Sequence, residues 1–363
     1  MVKIMTDEIN FNDMVMRVKD ALAGNASSTG ATFFPTETSE EIIQIVYERN
    51  FMRSLFPSLP MTTRTVNVPK LSGSVNFHRQ TLGQTESGVE SDESRQTSAE
   101  IVLTLKTMIA NVPIGNYLIA YGVEGLLTVL RDDIASRLAF NEQSLFLNGD
   151  TQGTLASNIN GAYDAAANPT GINASSGSEQ NDYLLEFDGL RKSAAATAVS
   201  VSGTFALSHL RTAISNMGIY ADNREDLALI VPRNLEVQLL GLDELQTVEK
   251  YGPQATILSG ELGRIYGIRV FATGAIPTNL NWTGKYQTGT VNGVAAVQDK
   301  TVALLVHTRS PLIGNPTDGA RRFSMGFEDE PKRDRFVLIP RQDLAFGVRY
   351  SDALVLLHGI ATI

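Results

Sequence analysis

The chain has 363 residues, 43% hydrophobic and 19% charged, which is enough to bury one large core or two modest ones. Its formal net charge is −9 and no run of Lys or Arg forms a polybasic arm, which argues against nucleic acid as the principal ligand, because phosphate neutralisation needs a concentrated positive surface. With no cysteine, disulfides, thiolate metal sites and cysteine nucleophiles are excluded together.

No segment reaches the roughly 18 apolar residues needed to cross a bilayer. Residues 1–20 alternate apolar with charged side chains and lack the continuous apolar stretch of a secretory signal. The chain is therefore expected to be made and folded in a cytosol, where the sequons at Asn25, Asn173 and Asn281 are chance matches.

Residues 10–23 read as a short amphipathic helix on Phe11, Val15, Val18 and Leu22, with Asn10 as N-cap and Gly24-Asn25 as its end. A small, polar stretch follows to Pro35. A second helix begins at Thr38, whose hydroxyl forms a capping box with Glu41, and breaks at Phe51–Pro60. Period-two alternation predicts strands at Arg64–Val68 and Ser74–Arg79, and again at Ile101, Leu103 and Leu105. Between them residues 83–99 carry almost no apolar side chain, an excursion too long for most loops inside compact domains. Such a hairpin has to project, and either stands in solvent or lies on a neighbour.

Directly after it, Leu127, Leu130, Ile134, Leu138 and Leu145 predict a long helix over Val123–Leu147. Asp132, Asp133, Arg137 and Glu142 fill the opposite side, and Gly149 stands at the C-terminal cap. At 1.5 Å per residue this is a rod of about 37 Å. Residues 150–182 read as loop. Beyond them come a helix capped by Ser208, a buried strand Leu227–Val231 stopped by Pro232, and a short helix on Leu235 and Leu239. Further strands are predicted at Tyr266–Ala272, Thr301–His307, Arg321–Phe327, Arg335–Ile339, Phe346–Arg349 and Ala353–His358, the last group adding to an earlier sheet. The fold class is α+β.

Motifs that carry chemistry are missing. The four histidines, at 78, 209, 307 and 358, have no metal-ligand spacing, and no G-x-S-x-G, Walker A or G-x-G-x-x-G sequence occurs. Gly260, Gly263 and Gly267 read as a turn leading into a strand. Asp132 and Asp133, adjacent on a helix, point about 100° apart and form a solvated face rather than an acid–base pair. No catalytic residue, cofactor or metal is assigned.

The order of elements resembles the Hong Kong 97-type capsid fold of tailed-bacteriophage major capsid proteins. The resemblance rests on VNVPKLSGSVNF and the acidic TESGVESDES in a projecting loop, and on GVEGLLTVLRDDIASRLAFNEQSLFLNGD as a spine helix ending in Asn148-Gly149-Asp150. DLALIVPRNLEVQLLGL, SGELGRIYGIRVFATGAIP and DLAFGVRYSDALVLLHGI are similar to the family's later segments. It implies an N-terminal arm at 1–37 and an extended loop at 62–107. A peripheral domain would comprise 38–61, 108–200 and 311–363 with the spine helix at 123–147, and an axial domain 201–310. Residues 244–255 are the first choice for the loop at the capsomer centre and 277–298 the second.

By the same resemblance the function is that of a shell subunit, not an enzyme. It would self-assemble into pentamers and hexamers of an icosahedral head around double-stranded DNA, in the host cytoplasm and then the virion. Its partners would be further copies of itself, a portal, a possible decoration protein and, the 37-residue arm being too short to be a large built-in scaffold, a separate scaffolding protein unless cleavage occurs upstream of Met1. An encapsulin-like compartment shell is the alternative, and an unrelated enzyme with dispersed catalytic residues a third. Some family members crosslink through a loop lysine, but here 71–105 contains none and only Lys70 and Lys106 stand near the base. A shell held without covalent links is expected. Its loop tip carries Glu86, Glu90, Asp92 and Glu93, and the C-terminal third carries Arg321, Arg322, Lys332, Arg333 and Arg335. These two sets either pair between subunits, where partial dehydration strengthens the attraction, or both stand as solvated faces.

Overall fold

The computed structural model describes residues 50–71, 73, 75–77, 96–117, 126–152, 158–160, 183–242, 264–286, 290–291, 294–295, 299–317 and 323–362. Outside these fall the arm at 1–37, the capping box at Thr38, the acids Glu86, Glu90, Asp92 and Glu93, the pair Arg321 and Arg322, and the loop 244–255.

In chain order, a single helical turn α1 (Met52–Leu55) precedes β1 (Ser58–Met61), β2 (Thr65–Leu71), β3 (Ser98–Thr104), β4 (Lys106–Ile109) and β5 (Val112–Gly115). The long helix α2 (Leu126–Asn148) and the turn α3 (Leu190–Ser193) follow, then β6 (Val199–Gly203), α4 (Leu207–Asn216), β7 (Leu227–Pro232) and α5 (Arg233–Leu240). The remainder is strand: β8 (Arg264–Ile265), β9 (Ile268–Thr273), β10 (Thr290–Val291), β11 (Val294–Ala295), β12 (Lys300–His307), β13 (Pro311–Pro316), β14 (Ser324–Glu330), β15 (Arg335–Val348) and β16 (Leu354–Ala361).

The chain divides into two compact units. Among the described residues, one holds those within 109–137 and 325–340, and the other those within 50–108, 138–324 and 341–362. The larger unit is built on a mixed sheet in the order β6-β16-β12-β7-β9-β8. β7 is buried at every position because both faces of the sheet are covered. Leu227, Leu229 and Val231 join Ala303, Leu305, Val355 and Leu357 under the apolar sides of α4 and α5, supplied by Leu207, Leu210, Leu235 and Leu239. Ile230, Val302, Leu304, Val306, Leu354 and Leu356 face the other way, against Leu145, Phe146 and Leu147 at the end of α2. Each fully buried Leu, Ile or Val contributes about 1.5–3 kcal/mol.

The last two turns of α2 are therefore enclosed on all sides, and the polar positions there have to find partners. Glu142, expected on a solvated side, is 3% exposed. It accepts from Arg53 Nε at 2.6 Å, Arg53 Nη2 at 2.9 Å, Asn50 Nδ2 at 3.0 Å and Gln342 Nε2 at 2.6 Å. This network ties α1, within the stretch expected only to break a helix, to α2 and β15.

Several expected elements shift for identifiable reasons. Val75–Phe77 is not a strand, and Phe77 is 98% exposed. The partner of β3 is instead β2, paired antiparallel from Thr65↔Thr104 to Leu71↔Ser98. Ser208 lies inside α4, whose first free N–H, that of Ala206, is taken by His209 Nδ1 at 3.1 Å. Tyr266 belongs to a two-residue hairpin turn with φ of 51°, followed by Gly267 at 82°, so the strand starts at Ile268. The two strands expected at 335–339 and 346–349 are one, because Pro340 costs a donor but its carbonyl still accepts from Ala110 N–H at 3.2 Å. β16, expected to add to an earlier sheet, does so between β6 and β12.

In the smaller unit, β5 pairs antiparallel with the first residues of β15, Arg335↔Gly115 to Leu338↔Val112, and β14 flanks β15 on its other side.

Candidate assembly surfaces

Three local structures carry the features the sequence singled out. The first is the base of the projecting loop, the two-stranded ribbon of β2 and β3. Val66, Val68, Ile101 and Leu103 share one face, which packs with Met61, Leu105, Leu312 and Ala345. The ribbon approaches β15 at Gly347, where an added Cβ would lie 2.7 Å from Leu103 Cδ2. Lys70 pins the same face: its Nζ donates to Arg349 O at 2.9 Å and stands 5.6 Å from the centre of the Tyr350 ring. That ring packs on Tyr220 at 5.5 Å, and Tyr220 meets His307 edge-on at 6.5 Å. Burial pushes the His307 imidazole below its usual range, so it is neutral at pH 7. The opposite face of the ribbon is open, with Leu71 and Val102 more than half exposed. Of the two lysines weighed for crosslinking, Lys70 is engaged as above and Lys106 lies 3.6 Å from Glu186.

The second is the Asn148-Gly149-Asp150 ending of the long helix. Gly149 N–H closes the helix on Leu145 O at 2.9 Å. Gly189 packs against it so closely that a Cβ there would meet Gly149 N at 2.7 Å and Phe146 O at 2.9 Å. Arg191, 1% exposed, donates to Asn148 Oδ1 at 2.8 Å, Asn160 Oδ1 at 3.2 Å and Gly284 O at 2.8 Å. Burial lowers its pKa to about 10, opposed by the charge of Asp150, so the guanidinium stays ionised at neutral pH. Asp150 is fully buried, pairs with Lys192 at 3.1 Å and accepts from Ile159 N–H at 2.7 Å. The motif is a densely bonded joint, in which Arg191 Nε alone of the guanidinium nitrogens has no partner among the described residues. Beside it, a cleft of about 460 Å³ is lined by Asn148, Asn160, Arg233, Asn234 and Asn279 among others.

The third is the hairpin between β14 and β15, which gathers Lys332, Arg333 and Arg335 at one tip. Its turn, Pro331–Arg333, closes through Asp334 in the left-handed conformation at φ 47°. Asn116 holds the turn by donating Nδ2 to Asp334 Oδ1 at 3.0 Å. Arg335 Nε bonds Glu330 Oε2 at 2.6 Å, and Arg333 Nη1 stands 3.7 Å from the same oxygen. The Arg335 hydrogen bond, more than any other influence, holds the Glu330 carboxyl below its ordinary range. The basic cluster is thus partly neutralised within its own hairpin.

Among the described residues no group of three or more His, Cys, Asp or Glu is placed to hold a metal ion, and no helix is long and apolar enough to cross a membrane.

A model of the phage capsid family matches residues 30–228, more than half of the chain. The chain belongs to the phage capsid family. The major capsid protein of Klebsiella oxytoca phage phiKO2 is 26% identical over 152 residues, which cover 42% of this chain and 33% of that protein. The chain thus matches about a third of the length of that curated relative. Solved structures from Microbacterium phage Oxtober96 and Mycobacterium phage Adephagia each superpose with a TM-score of 0.58, at 12% and 14% identity. The first covers 92% of this chain and 98% of its own, the second 93% and 99%. The capsid of a native GTA particle gives 0.57 at 12% identity, covering 93% and 99%. At these identities the likeness is one of fold, and the fold is the Hong Kong 97-type capsid fold.

Sequence reasoning did not find the joint around Arg191 or the buried role of Glu142. The available signal for Glu142 was its position one turn before Leu145-Phe146-Leu147, a run too apolar for a helix with one wet side.

Proposed function

We propose that the chain is a major capsid protein whose copies self-assemble into pentamers and hexamers of an icosahedral head around phage double-stranded DNA. The observation that carries this reading is the end-to-end match of its fold to the capsid chains of cyanophage P-SCSP1u and bacteriophage PhiM1, nearly the whole of both chains being covered. The anchored ribbon supports it, since a two-stranded ribbon with one open face, on which Leu71 and Val102 are more than half exposed, is marginal alone and gains from a neighbour. Nothing in the fold favours a compartment shell over a phage head. Electron microscopy of the purified protein tests the reading: closed shells are expected, and a protein that forms no particle under any assembly condition overturns it.

Within that reading, assembly takes place in the host cytoplasm with a separate scaffolding protein and a portal, a decoration protein being a further partner, and DNA is enclosed without sequence-specific contacts. The acidic loop tip, Glu86, Glu90, Asp92 and Glu93, pairs with Arg321, Arg322, Lys332, Arg333 and Arg335 of an adjacent copy. Reversing Glu90 and Glu93 to Lys should lower particle yield, and reversing Arg333 and Arg335 in addition should partly restore it. Unchanged yield after the first reversal would remove this contact.

A further inference from the structure

The contacts between the end of β12 and the base of the ribbon close into a circuit. On one side His307 meets Tyr220 edge-on at 6.5 Å, and Tyr220 packs on Tyr350 at 5.5 Å. On the other the path runs through Ser310, which is 1% exposed. Its N–H donates to His307 O at 2.9 Å, its carbonyl accepts from Arg349 N–H at 2.9 Å, and its hydroxyl donates to Tyr350 O at 2.8 Å. Arg349 O and the Tyr350 ring are the two groups on which Lys70 of β2 rests. The ribbon is thus fastened to the turn 307–310, and the imidazole helps to set that turn, because His307 Nδ1 accepts from Arg309 N–H at 3.3 Å.

That bond needs a lone pair on Nδ1, so it exists only while the ring is neutral with its proton on Nε2. Burial favours the neutral ring; the charge of Asp226 opposes this and that of Arg309 assists it. Asp226 faces the ring from the segment before β7 and Arg309 from the turn itself, and the two stand 3.6 Å apart as an ion pair. Asp352 acts on Tyr220, while Lys70 and Arg349 lie beyond Tyr350 and add two positive charges. A proton on Nδ1 sets one N–H against another and draws the ring toward Asp226, which Arg309 and Asn223 already hold. We propose that His307 is a proton-operated latch on the ribbon of β2 and β3: neutral, it fixes the turn that holds Arg349 and Tyr350 beneath Lys70, and protonated, it releases them. The folded chain takes up this proton less readily than the opened one. The latch is therefore closed above the ordinary imidazole range and opens as pH falls through and below it. Because the ribbon is the base of the projecting loop, the latch sets how firmly that loop is held.

Hydrogen exchange of the unassembled subunit tests the latch. Protection factors, from which the intrinsic pH dependence of exchange is divided out, are compared at about pH 7.5 and about pH 5, the lower value lying above the ordinary carboxylate range. Protection in β2 and β3 should fall about tenfold at the lower pH. His307→Asn, whose amide oxygen takes the place of Nδ1 and does not titrate, should abolish the fall. Asp226→Asn, which leaves the imidazole in place, should move it to lower pH. Lys70→Met should exchange fast at both pH values with no further step. Equal protection of the native ribbon at the two pH values overturns the latch, and so does a fall that persists in His307→Asn. A fall confined to residues 307–310 also overturns it, since His307 would then titrate without reaching the ribbon.

Discussion

Arg191 Nη1 lies 2.8 Å from Asn148 Oδ1, so the buried guanidinium is fastened to the last residue of the long helix. Replacing Arg191 with Met would leave the buried acceptors on Asn148, Asn160 and Gly284 without their donor. Loss of about 3–5 kcal/mol is expected, the cost of breaking a buried polar network on one side. Chemical denaturation of the unassembled subunit measures it, and a loss below about 1 kcal/mol would mean that water replaces the donor.

Gly149 and Gly189 should tolerate no side chain. A Cβ on Gly149 would overlap Phe187 O and come within 2.8 Å of Leu145 O, both backbone atoms that cannot swing aside. Gly149→Ala is therefore expected to cost several kcal/mol, at the upper end for single substitutions, about 4 kcal/mol. Ala at Gly115, where nothing lies within 4 Å of the added carbon, is the matched control and should be close to neutral.

How far the sequence was legible follows physical lines. Strongly periodic segments such as α2, β7 and β12 were recovered, because burial on one or both faces writes itself into the residue pattern. β13, with glycine and two prolines in Pro311–Pro316, left no such pattern, since it is defined by pairing to β1 and β15. The joint at Asn148-Gly149-Asp150 was visible as a motif but not as a network, because Asn160 and Arg191 reach it from positions 12 and 43 residues away. Of the proposed charge pairs, the sequence identified the basic cluster, but not that Glu330 already sits among it.

Glu142 and Arg53 make a second test. Glu142→Gln keeps the shape but removes the charge that Arg53 faces at 2.6 Å, and about 2 kcal/mol of stability should be lost. With Arg53→Met in the same chain the two losses should not add, and a double-mutant cycle reads the coupling. Simple additivity would show that the pair is not coupled.

The hairpin tip should respond to acid. The folded pKa of Glu330 lies below its unfolded value, chiefly through the Arg335 hydrogen bond. Its contribution is therefore fully present above the unfolded pKa and disappears as pH falls through the folded one. Amide exchange at residues 330–335 should accelerate across that acidic window in the native chain and show no such step in Glu330→Gln.

Lys70→Met keeps most of the apolar stem but removes the donor to Arg349 O and the cation above Tyr350. Amides of β2 and β3 should exchange about tenfold faster, equivalent to ~1.4 kcal/mol of lost local stability. Exchange equal to that of the native chain would place the ribbon's anchoring wholly in its contact with Gly347.

The insertion of β16 between β6 and β12 sets an order of events during synthesis. β6 and β16, neighbours in the finished sheet, are made more than 150 residues apart, at Val199 and Leu357, and β16, which joins β6 to β12, is the last strand of the sheet to be made. Until residues 354–361 leave the ribosome, one side of both β6 and β12 lacks its partner. The sheet is therefore completed only once this strand has been made.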